Sequence, residues 1–401
     1  MIKKLMIDIT KSSFLKYFLF ASLYFTEGLQ YIIASLILPI YLVDKGIPVS
    51  LVTVIAAVYL IPMTIKFIWG GIVDYFNKYG RRKFIILGGS LTSLSLFFLF
   101  IIDPSEYLAI FTIFLFLAGC GVGFLDVSAD AWAIDISKYE ERGKINGAMF
   151  VGQALGMVVG SSVLTSVAYF FGFNSVFFIT ALIVLLIILF PILVKDIRKI
   201  KKRVKIASIL YKEFKKKTTQ LVSIFTPIVG INIGLLGVVV PLYLNIYLNI
   251  NIAQIGLIIT IWSLTKVFGS LSGGIICDRW GRKNPLCILL ILGGFFTAML
   301  IFAKNWETVA ILYGIIGFFH GSLYTVWGAL LMDVTNPRIG ATQYSILTGL
   351  GNLGITVGES STGIMVSILG FTRTFLYGGL FFGPALLILY IIKLKKNYCE
   401  V

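Results

Sequence analysis

Apolar positions along this chain neither alternate nor recur as a single stripe every three to four residues. They run on without a break, and each run is long enough to cross the hydrocarbon of a bilayer, which takes roughly 20 residues. Twelve such runs are predicted. The first six lie near 15–43, 51–73, 84–102, 107–132, 145–171 and 175–194, and the second six near 221–248, 252–276, 285–303, 308–332, 343–369 and 374–392. Lipid offers no partner to a free amide, so segments of this length satisfy their backbone internally as helices rather than as barrel strands. The fold class predicted is all-α, a polytopic membrane protein of twelve transmembrane helices in two six-helix halves.

Composition agrees, with 58% hydrophobic residues, 13% charged and a mean hydropathy of +0.96. Soluble domains carry about 25% charge. The net charge of +16 invites a nucleic-acid reading until the basic residues are placed. With the N-terminus inside, 29 of the 34 fall in the termini and even-numbered turns, and only Lys45, Lys304 and Arg373 fall on the other side. That bias puts both termini in the cytoplasm of a multi-pass protein of the cell membrane. The excess then faces anionic lipid head groups, and no nucleic-acid partner is expected. The first span is too long for a removable signal peptide, and no small-residue cleavage site follows it. Cys120, Cys277, Cys287 and Cys399 form no C-x-x-C pair and are expected as free thiols.

The stretch from Lys195 to Lys217 is the one long polar interruption, and it divides the chain into 1–194, a basic cytoplasmic linker at 195–220, and 221–401. Two features repeat across that divide at about half the chain length. Gly70-x3-Asp74 followed by Gly80-Arg81-Arg82-Lys83 returns as Gly274-x3-Asp278 followed by Gly281-Arg282-Lys283. Asp135-x6-Arg142-Gly143 returns as Asp333-x4-Arg338, with the two aspartates 198 residues apart. A loop of this type between spans two and three, repeated between eight and nine, resembles the major facilitator superfamily. That resemblance implies two halves rocking about a site near the midplane.

Within the superfamily the text resembles the AmpG muropeptide permeases and acetyl-CoA transporters. Leu23-Tyr24-Phe25, Glu27-Gly28-Leu29 and Ile65-Lys66-Phe67-Ile68-Trp69 are similar to that family's first two spans, and Asp126-x3-Asp130-Ala131-Trp132 to its fourth. Leu330-Leu331-Met332-Asp333 and Ala341-Thr342-Gln343-Tyr344-Ser345 are similar to its ten-to-eleven loop. The family's substrates are anionic. In span eleven, where relatives commonly carry Gly-Arg and then Gly-Pro, this chain has Gly354-Ile355 and Gly358-Glu359. An expected cation is missing and an anion is added.

A charge kept inside the bilayer costs on the order of 2.5–3.5 kcal/mol, so each one asks for a partner or a purpose. The candidates for proton coupling or substrate binding are Glu27, Lys66, Asp126, Asp130, Lys266, His320 and Glu359. Glu27 and Lys66 are placed to form one buried pair. Asp126 and Asp130 share a helix face, where two like charges share a proton, as a coupling site requires. The alternative for Asp130 is a pairing with Arg81 or Arg82. A lone histidine such as His320 is more often a packed residue than a relay. Gly152, Gly156 and Gly160 are read as helix-packing positions. At the cytoplasmic face, Asp74, Arg81, Arg82, Asp135 and Arg142 in one half, with Asp278, Arg282, Asp333 and Arg338 in the other, look like a gate latch. The bland reading is that they set topology.

The function expected is secondary transport, a proton-coupled uptake of a polar metabolite by a monomer whose partners are a small-molecule substrate, protons and membrane lipids. No metal, cofactor or enzymatic activity is expected: there is no Walker loop and no H-E-x-x-H, and the chain has one histidine. A drug or metabolite efflux antiporter and a transporter-like receptor stay open at this level.

Overall fold

The computed structural model describes Asp8 and residues 12–195, 205–250 and 252–392. Residues 196–204 of the basic linker, the lysines near both ends of the chain other than Lys16, and Cys399 lie outside these residues. The described chain is helical, with eleven helices long and apolar enough to cross a membrane. In order they are α1 Ser13–Asp44, α2 Val54–Tyr75, α3 Arg81–Ile101, α4 Pro104–Ile136, α5 Tyr139–Phe171 and α6 Phe173–Leu193. The second set is α7 Lys217–Tyr247, α8 Gln254–Trp280, α9 Lys283–Phe302, α10 Trp306–Val334 and the long Pro337–Ile391. The last is two crossings. At about 1.5 Å per residue it is far too long for one, and it breaks at Gly370, where φ is 73° and ψ 168°. We label its parts α11 (337–369) and α12 (371–391). The twelve predicted spans are thus all present.

Outward faces are apolar, with Leu186, Phe170 and Ile368 well exposed, as lipid rather than water requires. Inward faces hold the polar residues. Helix starts follow local chemistry: Asp103 caps α4 and Asn305 caps α10. In α2 the helix breaks at Ile65, just after Pro62 interrupts the amide ladder. The carbonyl of Pro62 accepts instead from the Trp69 indole at 2.8 Å. The second piece of α2 begins with Lys66, so the break sets that side chain's direction. Gly152 and Gly156 let α5 lie against α1: a Cβ there would meet the carbonyl oxygens of Ala21 and Phe25 at 1.9 and 2.2 Å.

The chain forms two compact units. Unit 1 comprises Met1–Ser137, Gly152–Ile206 and Asn336–Ser345; unit 2 comprises Lys138–Val151, Ala207–Thr335 and Ile346–Val401. Each unit therefore includes a short segment, the start of α5 or of α11, from the other half of the sequence.

Candidate functional site

At the end of each unit that carries the basic loops, one arrangement occurs twice. The loop glycines Gly80 and Gly281 have φ of 81° and 79°, a left-handed conformation that glycine adopts without the strain a Cβ brings. The turn they make puts an arginine at the start of the next helix, Arg81 as the first residue of α3 and Arg282 just before α9. In unit 1, Arg81 is fully buried and its guanidinium pairs with Asp74 at 2.6 Å and Asp135 at 3.2 Å. Asp74 also accepts hydrogen bonds from the backbone of Ala341 (3.4 Å) and Thr342 (2.7 Å) and from the Thr342 hydroxyl (2.7 Å). A carboxylate is thus seated on the first turn of α11, where free amides and the helix dipole favour an anion.

Unit 2 repeats this on the first turn of α5. Asp278 accepts from the amides of Gly143 (2.8 Å) and Lys144 (2.9 Å). Arg282 pairs with Asp333 at 2.7 Å and reaches Asp278 at 3.4 Å. Arg142 joins it on Asp333 at 2.9 Å and donates to the Met332 carbonyl at 3.0 Å. Arg282 also donates to the Tyr139 carbonyl at 2.5 Å and lies over the Tyr139 ring. The repeated motif thus brings together Asp74, Arg81 and Asp135 in one unit, and Asp278, Arg282, Asp333 and Arg142 in the other. Two candidates stand apart. Arg338 is exposed, and Arg82 donates to the Val194 carbonyl at the end of α6.

Halfway along the helices of unit 1 lies a second, buried group of charges. Lys66 pairs with Asp126 at 3.0 Å, both nearly sealed from solvent. This differs from the expected pairing of Lys66 with Glu27, because the break at Ile65 turns the lysine to α4. Asp130 accepts a short hydrogen bond from the Tyr24 hydroxyl of α1, not from Arg81, which Asp74 and Asp135 already occupy. The second oxygen of Asp130 and the Oε2 of Glu27 are buried with no hydrogen-bond partner among the described residues. Tyr344 is buried beside the same carboxylates. Three carboxylates and one ammonium therefore share one enclosed space. Tyr24 and Tyr344 join this group; both stand in motifs similar to those of the AmpG permeases, but the sequence did not show that they meet these carboxylates.

Unit 2 has no such acidic group at that depth. Lys266, near the middle of α8, lies over the rings of Trp262 at 4.5 Å and Tyr324 at 4.9 Å, with no ion pair among the described residues. His320 is buried on α10, edge-on to Trp262 with centroids 6.3 Å apart. Glu359 stands exposed on α11 and makes no ion pair among the described residues.

Twelve crossings in two repeats, charged loops that repeat with them and ionisable residues buried halfway along the helices mark the class of membrane transporters built from two six-helix repeats. Residues 20–230 and 222–397 match the Major Facilitator Superfamily, and the chain belongs to that family. It is similar to AmpG 4 of Rickettsia conorii, 25% identical over 400 residues that cover 92% of this chain and 95% of that one. It is also similar to the anhydromuropeptide permease of Escherichia coli K12, 22% identical over 351 residues, 84% of this chain and 71% of that one. Among solved structures it is similar to the Escherichia coli fucose:proton symporter FucP, with a TM-score of 0.76 at 14% identity over 94% of this chain and 98% of that one. At that identity the likeness speaks to the fold alone.

Proposed function

We propose that the chain imports a polar metabolite across the cell membrane together with protons, as a monomer with both termini in the cytoplasm. The observation that carries the reading is the buried group of Glu27, Asp126 and Asp130 against the single Lys66. Fully ionised, it holds two negative charges in excess, in surroundings where unbalanced charge is costly. Protons are the smallest cations that balance them, and the three carboxylates offer a proton different surroundings. Asp126 holds Lys66, Asp130 holds Tyr24, and Glu27 leaves an oxygen unpartnered. The similarity to the anhydromuropeptide permease of Escherichia coli K12 accords with a transport activity.

The repeated loop clusters serve as the gate in this reading. Carboxylates seated on helix starts by hydrogen bonds and guanidinium pairs form contacts that favour one state over another, which is what a switch requires. The rocking elements are the halves 1–194 and 221–401, joined by the basic linker 195–220.

Reconstituted protein tests the proposal. Glu27→Gln and Asp126→Asn are expected to abolish accumulation of solute driven by a pH gradient while preserving exchange of labelled solute at equal pH. Accumulation at the wild-type level in both variants would sink proton coupling at this group.

A further inference from the structure

We infer that the Glu359 carboxylate of α11 binds the cationic group of the solute, so that the molecule carried is one bearing an ammonium. The inference rests on the reading of the chain as an importer of a polar metabolite and supplies its substrate class.

Glu359 lies well inside a crossing, roughly 15 Å from the break at Gly370, which is about half the thickness of the hydrocarbon. Around it the side chains of α11 divide into three arcs of about 80°, taking about 100° per residue. On the first, Gly354, Gly358 and Thr362 are buried. A Cβ on Gly354 or Gly358 would meet the carbonyl oxygen of Pro227 or Ile231 at 2.1 Å, so α11 lies backbone to backbone on α7 and its rotation is fixed. On the second, Leu353, Val357, Ile364 and Ile368 are 48–74% exposed and suit lipid. The third arc is exposed as well but polar, with Asn352, Thr356, Glu359, Gly363 and Ser367. Hydrocarbon does not tolerate a carboxylate there, whereas water does, so this side of α11 borders an aqueous space.

The hydroxyls on that arc are already spent. Thr356 donates to the Asn352 carbonyl at 3.1 Å and Ser367 to that of Ile364 at 2.8 Å. Glu359 makes no ion pair among the described residues. The positions one turn away on its own helix hold Ile355, Thr356, Thr362 and Gly363, so no neighbour at i±3 or i±4 supplies a cation. The repeat adds an independent observation. The position 198 residues before Glu359 is Ser161 of α5, exposed in unit 1 and bonded to the Val158 carbonyl of its own helix at 3.2 Å. A neutral, self-satisfied residue serves the fold at that position, and the charge occurs in one copy alone.

In water a bare carboxylate needs no partner. A transport cycle closes the space around its solute, and a carboxylate shut away from water without a counter-charge is costly. A neutral solute leaves that charge bare, whereas an ammonium cancels it in a charge-assisted hydrogen bond. Protonation of Glu359 would cancel it too, but would give no preference for an ammonium over an uncharged solute of the same shape.

The test is a thermal-shift measurement on purified full-length protein at one fixed pH below the range in which amines titrate. Glucosamine, benzylamine and ethanolamine are the probes, and glucose, benzyl alcohol and ethylene glycol their neutral counterparts. Binding to the native state raises the melting temperature. At least one ammonium compound is expected to raise it by a few degrees while its counterpart does not. Glu359→Gln, which keeps the shape and removes the charge, should weaken that compound about tenfold or more, and Glu359→Asp should retain it. Ile355→Arg leaves the carboxylate in place but gives it an i,i+4 partner, and should weaken the compound as well. The inference is overturned if no ammonium compound shifts the wild type, if the neutral counterparts act as strongly, or if the shift survives in Glu359→Gln or, should that variant not fold, in Ile355→Arg. No gradient is present, so loss of proton coupling at Glu27 and Asp126 leaves the outcome unchanged, and a failed ammonium shift leaves the proton test standing.

Discussion

The two units agree at their loop-bearing ends and disagree at their middles. At the ends, Asp74 with Arg81 and Asp278 with Arg282 perform the same task on the starts of α11 and α5, with the same turn glycine and a second carboxylate, Asp135 or Asp333, behind each arginine. In the middles, the positions 198 residues after Asp126 and Asp130 are Tyr324 and Gly328. Unit 1 keeps three carboxylates around one lysine, whereas in unit 2 no carboxylate lies within ion-pair distance of Lys266 among the described residues. A feature present twice is constrained by what both units must do, which is to fold and to switch. A feature present once has been free to specialise, and the middles are where the two units differ.

The largest effect is expected where the ends differ in charge count. Asp333 serves two guanidiniums, whereas Asp135 shares Arg81 with Asp74. Asp333→Ala should therefore cost at least about 3–5 kcal/mol of stability, the range for stranding a buried charge. Asp135→Ala leaves Arg81 its Asp74 partner and should cost less, about 1–2 kcal/mol. Urea unfolding of the two variants in detergent decides this, and equal losses would mean that the pairing pattern is not what carries the stability.

A smaller effect is expected from the helix seats. Asp278→Asn keeps one acceptor for the Gly143 and Lys144 amides but removes the charge, for about 0.5–2 kcal/mol. Cys277 is a native reporter, fully buried and in contact with Arg282 at 3.3 Å. With Cys120, Cys287 and Cys399 replaced by serine, a maleimide should label Cys277 faster in Asp278→Asn than in its parent. An unchanged rate would show that the seat is not a gate.

Much of this was legible in the sequence. Twelve spans followed from run length because lipid permits almost no alternative to a helix, and the two clusters of loop charges followed from two motifs sharing one period. What was not legible is which charges meet. Lys66 is placed by a backbone break at Ile65, and a sequence window sees the Pro62 before it but not the direction of the turn after it. The role of Asp74 was hidden for another reason: the amides it accepts from belong to Ala341 and Thr342, more than 260 residues away. Arg338, expected to mirror Arg142, is exposed because the second repeat spaces its arginine two residues closer to the aspartate.

The smallest effect concerns the ends opposite the basic loops. There Lys45 pairs with Asp103 at the start of α4, and both are substantially exposed. The Lys45 ammonium, with the hydroxyl and amide of Ser105, holds the Asp103 carboxyl down to about 2. Its contribution is present above the ordinary carboxylate range near 4 and is lost as pH falls through about 2. Being exposed, the pair is worth less than about 1 kcal/mol. Asp103→Asn should lower the melting temperature slightly at pH 6 and by nothing below pH 2, while high salt should erase the difference at pH 6.

The central claim is that Lys66 is paired inside unit 1, whereas Lys266 of unit 2 has no ion-pair partner among the described residues. Comparing the stability of Lys66→Met with that of Lys266→Met in protein free of solute tests it most directly. Lys66→Met strands Asp126 and should lose about 3–5 kcal/mol, and adding Asp126→Asn should recover most of that loss. Lys266→Met removes an uncompensated charge and should match or exceed the wild type. A Lys266→Met protein destabilised as much as Lys66→Met would contradict the account.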